Sequence, residues 1–154
     1  MNLKSLLSAF ISTMDRVGLM RKLVVDSLSY SRKYPGLSDA LSRQYLSSSR
    51  EARFIYGELL KAIRRSVRQN PPTPLEILEV TFARLREQAE AADVAARKAN
   101  RIGGRIASRT RKTATELNEL TKKAARVLVE EAQRRGADMD WFIREYGLDN
   151  WLRE

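Results

Sequence analysis

Apolar residues recur along almost the whole chain at spacings of three and four, the period of an amphipathic helix rather than of a strand. Leu3, Leu6, Leu7, Phe10, Met14, Val17, Val24 and Leu28 fall on one face of a first helix that Asn2 is suited to cap, with Gly18 as its weak point. Tyr34-Pro35-Gly36 predicts the end of that helix, and Ser38 or Asp39 the cap of a second one running to about Gln69. In the second helix Leu41, Tyr45, Ala52, Ile55, Tyr56, Leu59, Ile63 and Val67 share a face, and Ser47-Ser48-Ser49 predicts a local bend. Asn70-Pro71-Pro72-Thr73-Pro74 predicts a stiff elbow.

Beyond the elbow the helical period starts again with Leu75, Leu78, Phe82 and Leu85 and resumes through Leu117, Leu120, Ala124, Val127 and Leu128, closing at Gly136. Gly103-Gly104 interrupts it, as a kink in one very long helix, a break between two, or a place where the backbone approaches another surface closely. Asp138 caps a short helix through Tyr146, stopped by Gly147. The expected fold is all-α: an N-terminal helical arm or helix pair over residues 1–70, then long helices in an antiparallel bundle with an aromatic tail over residues 71–154, together one structural unit. The tail gathers Trp141, Phe142, Leu148 and Trp151, which either cover a core or serve as subunit contacts; Trp141, Phe142 and Trp151 are the candidates for the second role.

Charge changes this picture. The formal net charge is +10, and the cations are not spread evenly. From Val94 to Thr115 the chain carries Arg97, Lys98, Arg101, Arg105, Arg109, Arg111 and Lys112 with no acidic residue, whereas an ordinary exposed helix is laced with i,i+4 pairs of opposite sign. As one helix, this window would run roughly 33 Å, with most of its cations along one edge. In the second helix Arg43, Arg50, Arg53, Lys61, Arg64, Arg65 and Arg68 occupy the face opposite the apolar one. Guanidinium forks on such a face pair with phosphate oxygens. These fourteen side chains are the candidate phosphate-binding set, and Gly103 and Gly104 the candidate points of close backbone approach.

The chain contains neither cysteine nor histidine, which removes disulfides, thiolate metal sites and the commonest general base. No positioned base supports the tyrosines Tyr30, Tyr34, Tyr45 and Tyr56 as nucleophiles, so no enzyme, cofactor or metal is expected. No apolar run is long enough to span a bilayer, and the first residues lack the pattern of a signal peptide. Abundant arginine without cysteine or histidine also fits life at high temperature.

Two cationic helix faces, an apolar N-terminal helix, a proline elbow and a helical second half together resemble the coat proteins of filamentous archaeal viruses. The resemblance implies a homodimer, or a heterodimer with a related second coat protein, that wraps linear double-stranded DNA in the A form and stacks into a helical filament. It places the protein in the virion, and in the host cytoplasm during assembly. The candidate cations would then hold the phosphate backbone without reading sequence. The same residues also suit a cellular nucleoid or plasmid-accessory protein, a binder of duplex RNA, or a helical scaffold that meets an anionic membrane surface.

Overall fold

The computed structural model describes residues 2–67 and 75–153, the side chains of 66 and 67 excepted. Its helices are α1 (Leu3–Ser27), α2 (Pro35–Val67), α3 (Leu75–Asn100), α4 (Gly104–Arg134), α5 (Met139–Glu145) and α6 (Asp149–Leu152), with a 3₁₀ turn at Leu28–Tyr30 after α1. The protein is all-α, as its apolar period requires. The proline elbow and Arg68 lie outside the described residues.

The four long helices form a bundle in which α1 packs on α2 and α3, and α4 packs on α3 and α2. Helices joined in sequence as hairpins, α1 with α2 and α3 with α4, run antiparallel. Across the two hairpins the neighbours run parallel: Asp15 meets Arg84, and Gly18 meets Gln88. Asp39 likewise meets Arg109, and Arg50 meets Glu116. Both turns, at residues 28–34 and 101–103, therefore sit at the same end, called the tip below.

One core draws on both sides of the elbow. Phe10, Met14 and Val17 of α1 join Tyr45, Tyr56 and Leu59 of α2, Phe82 and Leu85 of α3, and Leu117 and Leu128 of α4, all buried. Such interdigitated burial, at about 25 cal/mol per Å² of apolar surface, is the main stabilising term. α1 is thus a wall of the bundle and not a projecting arm. Toward the tip Ala92, Ala95, Ala96 and Ala99 of α3 run beside Ala107 and Ala114 of α4, and such small side chains let two helices approach closely.

Asn2 caps α1, its Oδ1 accepting from the Ser5 N–H at 2.8 Å. Two local expectations need correction. α1 ends at Ser27 rather than near Tyr34, and α2 begins at Pro35, before the expected caps. Proline is at home in the first helical turn, where its missing N–H has no intrahelical partner to lose. Ser38 instead points inward, its Oγ donating to the Ser27 carbonyl at 3.1 Å and tying the first turn shut. Ser47-Ser48-Ser49 lies within the continuous helix α2, where the Ser49 hydroxyl donates to the Leu46 carbonyl at 2.8 Å.

Gly103 and Gly104 break the second half into a hairpin. Gly103 has φ 76° and ψ −167°, a region essentially restricted to glycine, and Gly104 has φ 64°. A Cβ at either would meet nothing within 4 Å, so within the fold these glycines serve the turn and not a close crossing. Gly103→Ala is expected to cost about 1–3 kcal/mol in urea unfolding, from backbone strain alone. At the far end of α4, Gly136 closes the helix, with its N–H on the Gln133 carbonyl and the Ala137 N–H on the Ala132 carbonyl.

The tail folds back onto the bundle. Asp138 caps α5, and Phe142, Leu148 and Trp151 are buried. Arg86 donates to the Tyr146 carbonyl at 2.8 Å, and the Tyr146 hydroxyl donates to Glu79 at 3.0 Å. Phe142 and Trp151 are therefore core residues, which corrects their assignment to subunit contacts; Trp141 alone of the three is exposed.

Candidate nucleic-acid interface

The hairpin at Gly103-Gly104 divides the cation-rich window, so its residues do not form one row. Arg97 and Lys98 lie on the last turn of α3, Arg101 in the connecting turn, and Arg105, Arg109, Arg111 and Lys112 on α4. Arg97 and Arg111 face each other across a cleft on the α3–α4 flank, beside Asp93, Asn118, Glu119 and Lys122. Arg101 and Arg105 stand at the tip with Arg32. Lys112 is exposed one turn along α4 from Arg109.

Arg109 points inward. Its Nη1 forms an ion pair with Asp39 of α2 and also donates to the Asp39 carbonyl at 3.1 Å, with only 22% of the side chain exposed. It fastens α4 to α2 and is not free for phosphate. The Arg109 guanidinium, by hydrogen bond and by charge, holds the Asp39 carboxyl below its ordinary range, with Arg43 adding to the effect. A depressed carboxyl contributes stability that is fully present above its unfolded value and is lost as pH falls through its folded value. Acid titration of the wild type should therefore show a loss of thermal stability below the ordinary carboxylate range that is smaller in Asp39→Asn, which is less stable at neutral pH.

The α2 row keeps the form that its periodicity predicts. Arg43, Arg50, Arg53, Lys61, Arg64 and Arg65 are all exposed, and from Arg43 to Arg65 they extend about 33 Å along the helix. Phe54, 68% exposed, stands among them. Some of this charge is answered from within the fold. Arg50 Nε lies 3.1 Å and Arg53 Nη1 3.7 Å from Glu116 of α4, whose side chain is only 17% exposed. Arg43 pairs with Asp39 at 2.8 Å and Lys61 with Glu58 at 3.2 Å. Arg64 and Arg65 have no ion pair among the described residues. On the four paired cations between 47% and 67% of the side chain is exposed, and pairs that wet contribute at most about 1 kcal/mol. An incoming phosphate can displace such a carboxylate at little cost.

Glu116 and Asp39 are the functional residues that helical spacing misses. Each reaches arginines far away in sequence, at separations of 66 residues for Arg50–Glu116 and 70 for Asp39–Arg109. Lys123 and Arg126 of α4 are exposed cations that the periodicity also passes over. Burial raises the hydroxyl pKa of both Tyr45 and Tyr56, which keeps them protonated and unsuited to nucleophilic attack. Among the described residues no group of three or more acidic side chains gathers to hold a metal, and no helix is long and apolar enough to cross a membrane.

Fold and surface together define a small basic helical bundle with a row of exposed cations along α2. Comparison with protein-family models, with curated proteins and with solved structures finds no match to this chain.

Proposed function

We propose that this protein is a structural component that coats double-stranded DNA without sequence specificity and assembles with itself, or with a related second chain, into a helical nucleoprotein filament, the coat of a virion. The observation that carries the reading is the α2 row: six exposed cations on one rigid helix, two of them without an ion pair among the described residues and the other four with 47% to 67% of the side chain still exposed. Duplex DNA presents a phosphate charge about every 1.7 Å of axis, so a helix of this length meets many phosphates without any base contact. A rigid scaffold favours that use, because α2 is anchored through Tyr45, Tyr56 and Leu59 and its arginines need not order a loop on binding. The filament and its place in the virion follow from the likeness to filamentous-virus coat proteins.

The test is affinity for unrelated duplexes as a function of salt, with electron microscopy of the same mixtures. The logarithm of affinity should fall with the logarithm of salt by about 0.9 per phosphate engaged, alike for each sequence, and regular filaments should form. A flat slope or strong preference for one sequence would remove the backbone-wrapping reading; binding without filaments would leave a nucleoid-type protein. Glu116→Gln releases Arg50 and Arg53 together, and should tighten binding by about one phosphate contact, roughly eightfold near 0.1 M salt.

A further inference from the structure

The tip carries a chemistry that the flank lacks. The turn after α1 and the turn between α3 and α4, far apart in sequence, sit side by side around an open cleft of about 510 Å³. Arg32, Arg101 and Arg105 line it, with Lys33 on the adjoining turn. All four are exposed, and none has an ion pair among the described residues. The acids at this end are Asp39, which Arg109 and Arg43 already hold, and Asp26, which lies beside Lys22 and Lys98. Ile102 lines the same cleft, and Tyr30, Tyr34 and Leu37 stand on or beside the turn that carries Arg32 and Lys33; the four are exposed at 43%, 56%, 52% and 48%. The Lys33 ammonium stands 5.5 Å from the Tyr34 ring.

Nothing in the fold needs four large apolar side chains there. They do not cover the core, and the turns are closed by backbone hydrogen bonds from Tyr34 to Tyr30 at 2.8 Å and from Gly103 to Ala99 at 3.2 Å. We infer that the tip is a docking surface for an anionic lipid bilayer, on which the bundle stands end-on. The three kinds of side chain correspond to three depths of such a surface. Aliphatic Leu37 and Ile102 suit the acyl boundary, tyrosine rings the headgroup layer, and unpaired cations the lipid phosphates. A nucleic acid backbone would satisfy the cations but offers nothing to the aliphatic pair. A second copy would bring a tip of the same charge against this one. The inference does not rest on the flank binding DNA, since end-on docking leaves α2 open along its length.

The experiment is co-sedimentation of the full-length chain with vesicles of phosphatidylcholine alone and of phosphatidylcholine mixed with phosphatidylglycerol. The protein should sediment only with the anionic vesicles. Arg101→Gln with Arg105→Gln should weaken this by about 25-fold, at fivefold per cation near the surface. Leu37→Ser with Ile102→Ser should weaken it by about tenfold, because apolar burial is lost while charge is kept. All four positions are exposed, so both variants should keep the wild-type melting curve. Ile102→Trp should show a blue-shifted emission component on anionic vesicles and not on neutral ones. Arg64→Gln with Arg65→Gln, a flank variant of equal charge change, should lose less than either tip pair. The inference is overturned if anionic vesicles do not bind the protein, or if the flank pair loses as much as the tip pairs. It is also overturned if the tip variants lose duplex DNA while vesicle binding stands, an outcome that would make the tip a nucleic-acid surface.

Discussion

Replacing Arg50, Arg53, Lys61, Arg64 and Arg65 together with glutamine should lower affinity for any DNA duplex by about 10⁴-fold near 0.1 M salt and flatten the salt slope by between four and five. Each cation on the flank would release about one condensed counterion, and the effect multiplies across contacts because the helix presents them as one rigid row. Glutamine stays polar but removes both the charge and the guanidinium fork, and the accompanying fall in salt slope is what reports on lost phosphate contact rather than on shape. Arg97→Gln with Arg111→Gln, on the α3–α4 flank, is the control: these cations face a different cleft and should cost far less. Equal losses per charge on the two flanks, measured by fluorescence anisotropy, would show that net charge and not the α2 row governs binding.

Phe10→Ala should be the most damaging single substitution in the first helix, lowering stability by about 3–5 kcal/mol. Phe10 has no exposed surface, and its ring packs on that of Tyr56 with centroids 5.8 Å apart and planes tilted by 48°. Removing it leaves a cavity between α1 and α2 that neighbouring helices cannot fill without shifting their own packing. Against a typical total of about 5–15 kcal/mol, that is a large fraction. The melting temperature should fall by roughly 10–15 °C in a far-ultraviolet circular dichroism scan. The substitution also distinguishes two views of α1. A helix that projected as an arm would lose little on truncation, and a loss below about 1 kcal/mol would contradict its place in the wall of the bundle.

Much of the fold could be read from local pattern, because helix formation and capping are decided by residues three and four apart. The apolar faces of all four long helices, Asn2 and Asp138 as caps and Gly136 as terminator stand in the structure as their spacing requires. Where the pattern misled, a residue was given a use within its own helix or outside the chain when a partner elsewhere in the fold offered another. Ser38 closes a turn onto Ser27 instead of capping a helix, and Phe142 and Trp151 enter the core instead of waiting for another subunit.

The candidate interface shows the same division. Periodicity alone places Arg43, Arg50, Arg53, Lys61, Arg64 and Arg65 on one face of α2, since that geometry is internal to a single helix. The run from Arg97 to Lys112 looks like a second such row only if the helix continues through Gly103-Gly104, and two residues at positive φ send its halves back along each other. Folding then turned Arg109 inward to Asp39 and brought Glu116 against Arg50 and Arg53, and it set the turn at Arg32 beside the turn at Arg101. Sequence by itself determined the helices and the cationic face of α2, because both repeat with the helical period. That Arg50, Arg53 and Arg109 are answered, and which cations meet at the tip, was decided only by tertiary structure, because Coulombic pairing depends on distance in space and those partners lie more than sixty residues apart.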